Sequence, residues 1–150
     1  MSEFTKTLVV SPLSDGRTWV LREPFSYDIG AKGSGNTITV PERFITDFAS
    51  VPRLLWAVLP PWGKYGNAAV VHDFGYWEHS RSRKETDQVF LEGMEALGVG
   101  WLTRHMMYAA VRAFGNLAWS GRRKQRADKP TIHLAQRLPA KTTDSRQSLQ

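Results

Sequence analysis

The chain has 150 residues, 41% of them hydrophobic, which is enough for one domain with its own core and an appendage. It contains no cysteine, and this excludes a disulfide framework, a thiolate metal site and a cysteine nucleophile. The formal net charge of +6 sits at one end, because residues 1–120 hold twelve Lys/Arg and twelve Asp/Glu whereas residues 121–150 hold eight and two; the basic character therefore belongs to a tail rather than to the domain.

The first fifty residues predict strands and turns. Short β-type runs at 7–10, 17–21, 25–29 and 36–40 are separated by Ser14-Asp15-Gly16, by Glu23-Pro24 and by the glycine-rich stretch 30–35, as in a small antiparallel sheet. Ser50 is placed to cap a short helix over 52–59, with Pro52 in its first turn and Pro60-Pro61 ending it. Helical patterning then takes over at 66–77, 83–97 and 100–118. Ser82 and Glu85 have capping-box spacing ahead of Val89, Phe90, Leu91 and Met94, and Gly98 marks the end of that helix. Strands followed by segregated helices give an α+β class: a small N-terminal antiparallel sheet, a helical hairpin, a long C-terminal helix and a flexible basic tail. The domain is expected over 1–120 and the tail over 121–150.

Within the helix at 66–77, His72-Asp73 and Tyr76 interrupt an apolar run, and Asp87 lies on the following helix. Charges seldom sit unpaired in such runs. If 78–82 make the turn, antiparallel packing brings His72 and Asp87 to within about 3 Å of the same height. The carboxylate then fixes the tautomer and direction of the imidazole, the arrangement of a general base with its orienting partner. Asp73 points about 100° away from His72 and is the candidate ligand of a cation beside it. Tyr76, one turn on, is placed to hold Asp87 or to line a pocket. The plainer alternative is a buried polar network that fixes the hairpin without chemistry. Asp47 is a capping and turn residue or an auxiliary metal ligand; with His72, Asp73 and Asp87 it makes a mixed nitrogen and oxygen set suited to zinc, manganese or another divalent ion. No organic cofactor is expected. Ser50 lacks a nucleophile-elbow pattern, so a Ser50-His72-Asp87 triad is not favoured. His79 falls in the turn and reads as solvated.

Most of the six tryptophans should be core. Trp56 and Trp62, flanking Leu59-Pro60-Pro61, are the two that suit an exposed rim for a lipid surface or a protein partner. Met106, Met107 and Tyr108 fit core spacing. The run 98–119 contains Arg104, His105, Arg112 and Asn116, so it reads as a core helix with one polar side and no transmembrane segment is expected. In the tail, Arg122, Arg123, Lys124 and Arg126 open a stretch without aromatics, suited to solubilisation or to weak contact with nucleic acid or an acidic surface. The N-terminal residues have no long apolar stretch after a basic start, so no cleavable signal peptide is expected.

Val40-Pro41, Phe44, Thr46-Asp47-Phe48-Ala49-Ser50-Val51-Pro52-Arg53, Gly63-Lys64-Tyr65, Ala68-Ala69-Val70-Val71-His72-Asp73, Tyr76, Ser82-Arg83, Asp87, Phe90 and Met94 resemble an uncharacterised family encoded by tailed bacteriophages and prophages. That resemblance covers about residues 5–120 and implies a phage origin, with action in a host cytoplasm or in the virion. A second resemblance, over about 25 residues, is of His-Asp-x-x-Tyr and the facing Asp-x-x-Phe to the catalytic helices of secreted phospholipase A(2) and the related parvovirus capsid domain. It implies that His72 activates water, that Asp73 binds calcium, that Asp87 orients the histidine and that Tyr76 supplies a supporting hydroxyl. The segment 62–67 departs from that family's calcium loop by its lower glycine density and by Lys64. Two functions follow as expectations: a hydrolase with a water-activating, metal-assisted His/Asp site, acting on an ester; or a non-catalytic virion, tail-associated or host-factor-binding component that meets phage structural proteins or a host factor.

Overall fold

The computed structural model describes residues 2–16, 18–48 and 64–128. Six short strands, β1 (Glu3–Phe4), β2 (Val10–Pro12), β3 (Trp19–Leu21), β4 (Phe25–Asp28), β5 (Thr37–Val40) and β6 (Ile45–Thr46), precede three helices, α1 (Gly66–Glu78), α2 (Arg83–Ala96) and α3 (Trp101–Asp128). The fold is α+β, as the sequence predicts. The strands form two three-stranded antiparallel sheets, ordered β1-β4-β5 and β2-β3-β6.

The β4–β5 hairpin pairs Phe25 with Val40 and Asp28 with Thr37, and the alternating exposure along β5 buries Ile38 and Val40, the period-two signature of a half-covered sheet. Its long loop is held by Asp28, whose carboxylate accepts from the Gly33 amide at 2.9 Å and from Thr37 Oγ1 at 2.6 Å. These hydrogen bonds hold the Asp28 carboxyl below its ordinary range. The sheet is tied to α2 by Glu92, which accepts from Tyr27 Oη at 2.9 Å and from the Gly30 amide at 2.8 Å.

The helical hairpin forms where it was expected. Ser82 caps α2 with both halves of the capping box in place, satisfying two otherwise orphaned amides. The α1 helix ends at His79, which takes a left-handed conformation (φ 57°) and returns its amide to the Gly75 carbonyl. Close approach of α1 and α2 depends on small residues: a Cβ on Gly75 would meet the Thr86 methyl at 2.6 Å, and one on Gly93 would meet Ala68 Cβ at 3.1 Å. The core between sheet and helices gathers Phe25, Tyr27, Phe44, Val70, Val71, Phe90, Met94 and Met107.

Some expectations shift. The strand expected at 7–10 begins only at Val10. Helix α3 runs to Asp128, ten residues past the expected end at 118, because its basic continuation has partners on the domain: Arg122 pairs with Asp47 at 3.6 Å and Arg126 donates to the Trp77 carbonyl at 3.3 Å. Met107 is core, but Met106 faces outward, and Trp101 is exposed whereas Trp77 is buried. His79 is half-buried rather than solvated, its ring packed on Trp119 with centroids 4.0 Å apart. The short helix at 52–59, Ser50, Trp56, Trp62 and the tail beyond 128 lie outside the described residues. Among the described residues, no helix is long and apolar enough to cross a membrane.

Candidate active site

The hairpin brings His72 and Asp87 together as their spacing predicts. His72 Nε2 lies 2.8 Å from Asp87 Oδ1, and Tyr76 Oη donates to the same oxygen at 2.8 Å. The other oxygen, Oδ2, accepts from Arg112 Nη1 at 2.8 Å, with Arg83 Nη1 at 3.6 Å. Asp87 is completely buried and His72 is 3% exposed. The centre thus spans three helices: His72 and Tyr76 from α1, Arg83 and Asp87 from α2, and Arg112 from α3.

Burial works to raise the Asp87 carboxyl, but the hydrogen bonds from His72, Arg112 and Tyr76 outweigh it and the group is held below the ordinary carboxylate range. An ionised carboxylate only accepts. Nε2 of His72 therefore carries the proton that points at Asp87, and in the neutral ring the lone pair sits on Nδ1, the nitrogen turned away from Asp87. Burial, reinforced by the Asp87 charge, pushes the Tyr76 phenol up and keeps it a donor. The His72 ring is further packed between Tyr76 and Phe90, with centroid distances of 4.3 and 4.7 Å, which fixes its plane.

Asp73, on the neighbouring face of α1, is half-buried and accepts from Thr46 Oγ1 at 2.5 Å. Strand β6 delivers that hydroxyl, which in turn accepts from the Phe48 amide at 3.1 Å. Phe48 takes a left-handed backbone (φ 51°), unusual for a bulky residue. Asp47, the auxiliary ligand of the sequence reading, pairs with Arg122 at 3.6 Å. Among the described residues, no group of three or more His, Asp and Glu side chains lies together so as to hold a metal ion. Among the described residues Asp73 therefore stands as a single carboxylate, short of the protein-only shell of a closed zinc or calcium site.

Arg83 and Arg112 were missed by sequence reasoning. Arg83 was legible in principle, since it stands four residues before Asp87 on one helix. Arg112 carries no local signal beyond being a cation inside an apolar helix; its partner is 25 residues away. Of the basic residues assigned to the tail, Arg122 and Arg126 bond to the domain, while Arg123 and Lys124 are exposed.

An α+β domain with a His–carboxylate pair buried across a helical hairpin is the class these features define. The chain belongs to a protein family of unknown function (DUF1353), whose profile matches residues 19–111. It is 36% identical over 98 residues to the uncharacterized protein y4jT of Sinorhizobium fredii (strain NBRC 101917 / NGR234), covering 63% of this chain and 28% of that protein. It is 42% identical over 72 residues to the uncharacterized protein y4iH of the same strain, covering 47% and 30%. The chain spans less than a third of the length of these relatives. No solved structure matches it.

Proposed function

We propose that this is a phage-encoded hydrolase that cleaves an ester with water, using His72 as general base and Asp87 as its orienting partner. The observation that carries the reading is the 2.8 Å contact of His72 Nε2 with a carboxylate that Tyr76 and Arg112 also hold by hydrogen bonds. That carboxylate has no freedom to turn away, so the imidazole is held in one orientation before substrate arrives.

In the reaction, Nδ1 of His72 takes a proton from water as the water oxygen bonds to the ester carbonyl carbon. The imidazolium formed is stabilised by Asp87 through the Nε2–H bond, and Nδ1 then gives the proton to the departing alkoxide as the carbon–oxygen ester bond breaks, leaving acid and alcohol. A divalent ion at this site would be held by Asp73, with Thr46 fixing the carboxylate, and would polarise the ester carbonyl.

Calcium, zinc and manganese titration of wild type beside Asp73→Asn tests the metal separately, with binding in wild type and at least tenfold weaker binding in the variant expected; equal affinity in both removes Asp73 as a ligand. For the base, His72→Asn is expected to remove ester turnover by a thousandfold or more while the fold is retained. Unchanged turnover in a folded variant removes the hydrolase reading.

A further inference from the structure

The outward face of α3 is apolar along its first two-thirds. Leu102, Met106, Ala109, Ala113 and Leu117 follow one another at spacings of four, three, four and four, which at about 100° per residue keeps all five within an arc of about 80°. Leu102, Met106 and Leu117 are 64%, 43% and 85% exposed, and Phe114, on the flank of the stripe, is 68% exposed. The opposite side of the same helix supplies Met107 and Val111 to the core, Arg112 to Asp87, and Trp119 to Tyr76. The domain thus already satisfies one face of α3, and the second face carries the exposed apolar stripe.

No ionisable side chain falls on the stripe between 102 and 117. Arg104 turns inward to Glu95 and the Val99 carbonyl, and Arg112 to Asp87. The line ends in charge, with Arg123 and Lys124 exposed beyond Ser120. Near-heptad apolar spacing is the pattern of a helix that packs along another helix.

We infer that this face is the interface of a homodimer in which two α3 helices pack antiparallel. The large residues stand at the two ends and the alanines in the middle, so a twofold axis between 109 and 110 sets Leu102 against Leu117 of the second copy and Met106 against Ala113. The small central residues let the backbones approach. Parallel pairing would bring the two Arg123-Lys124 clusters side by side, whereas the antiparallel arrangement separates them by most of the helix length. Leu102, Met106, Phe114, Leu117 and the alanines expose on the order of 600 Å² per chain, at the upper end of what a typical monomer leaves in one patch. Two such faces bury about 1,200 Å², the lower end of stable interfaces.

The test uses the 150-residue chain. Sedimentation should give twice the 17.0 kDa chain mass at micromolar concentration, and Leu102→Glu/Leu117→Glu should give a folded monomer with a dissociation constant weakened at least a hundredfold. Because the native chain has no cysteine, register is read by oxidation: Leu102→Cys/Leu117→Cys should cross-link between copies. Leu117→Cys alone should not, since antiparallel packing holds the two 117 positions roughly 22 Å apart, beyond disulfide reach. A wild-type monomer at all concentrations, whatever else covers the stripe, overturns the proposal. So does a dimer that survives the double glutamate substitution, or efficient cross-linking through position 117 alone.

Discussion

Asp87 concentrates the chemistry of this protein in one side chain. It is fully buried yet ionised, because it accepts from an imidazole, a phenol and a guanidinium at 2.8 Å each. Its folded-state carboxyl lies below the ordinary value, so the folded state takes up its proton at lower pH than the unfolded chain does. The stabilisation is therefore complete above the unfolded value, about pH 4, and is lost as pH falls through the folded value. Asp87→Asn removes this dependence. In urea titrations from pH 7 to pH 2.5, wild type should exceed the variant in stability at neutral pH, and the gap should close below about pH 4; a gap that stays constant down to pH 2.5 contradicts the assigned network. At this scale the sequence was informative about His72, Asp87 and Tyr76, since residues eight before and seven after one turn must meet across it. It was silent on Arg112, because nothing local says where a helix fifteen or more residues further on will lay its cations. The fate of Asp47 was hidden for the same reason: its partner Arg122 sits on a turn of α3 that composition alone marks as tail.

The hairpin of α1 and α2 holds these side chains at their distances, and it depends on two local devices. One is the capping box of Ser82 and Glu85, in which the hydrogen bonds from the Ser82 hydroxyl and amide also depress the Glu85 carboxyl. Ser82→Ala should cost about 1 kcal/mol in urea unfolding, and a neutral effect would show that the helix start is fixed by packing instead. The other device is Gly75, against which the Thr86 methyl packs. Gly75→Ala should destabilise by roughly 1–3 kcal/mol through overpacking. Adding Thr86→Ser, which removes the methyl and keeps the hydroxyl bonded to the Ser82 carbonyl, should recover part of that loss; no recovery would place the clash elsewhere. Capping signals are local, so the start of α2 was legible to the residue. The contact between Gly75 and Thr86 depends on the angle at which two helices cross, which no short-range pattern encodes.

Across the whole molecule, two small sheets serve as a platform: Glu92 anchors α2 to the β4–β5 hairpin, and β6 carries Thr46 to Asp73. The α+β order was readable from the change of period along the chain. The division of the strands into two sheets was not, because runs of two to four residues carry too little alternation to specify partners. Helix α3 closes the site through Arg112 on one side and presents an apolar stripe on the other, so the same element belongs to the interior of the domain and to its outer surface. The first eleven residues of that helix lie within the residues matched to the family, and its residues after 111 lie beyond them.

The measurement that bears most directly on the central claim is turnover of a graded panel of acyl esters, from short p-nitrophenyl esters to phospholipid vesicles, each with and without calcium. Wild type is run beside His72→Asn and Asp87→Asn, with thermal unfolding recorded for all three. The account predicts hydrolysis by wild type, at least a thousandfold loss in His72→Asn and a smaller loss in Asp87→Asn, the variants remaining folded. Hydrolysis by wild type no faster than by folded His72→Asn, across the entire panel, would contradict it and leave the buried pair as a device that holds the hairpin in register.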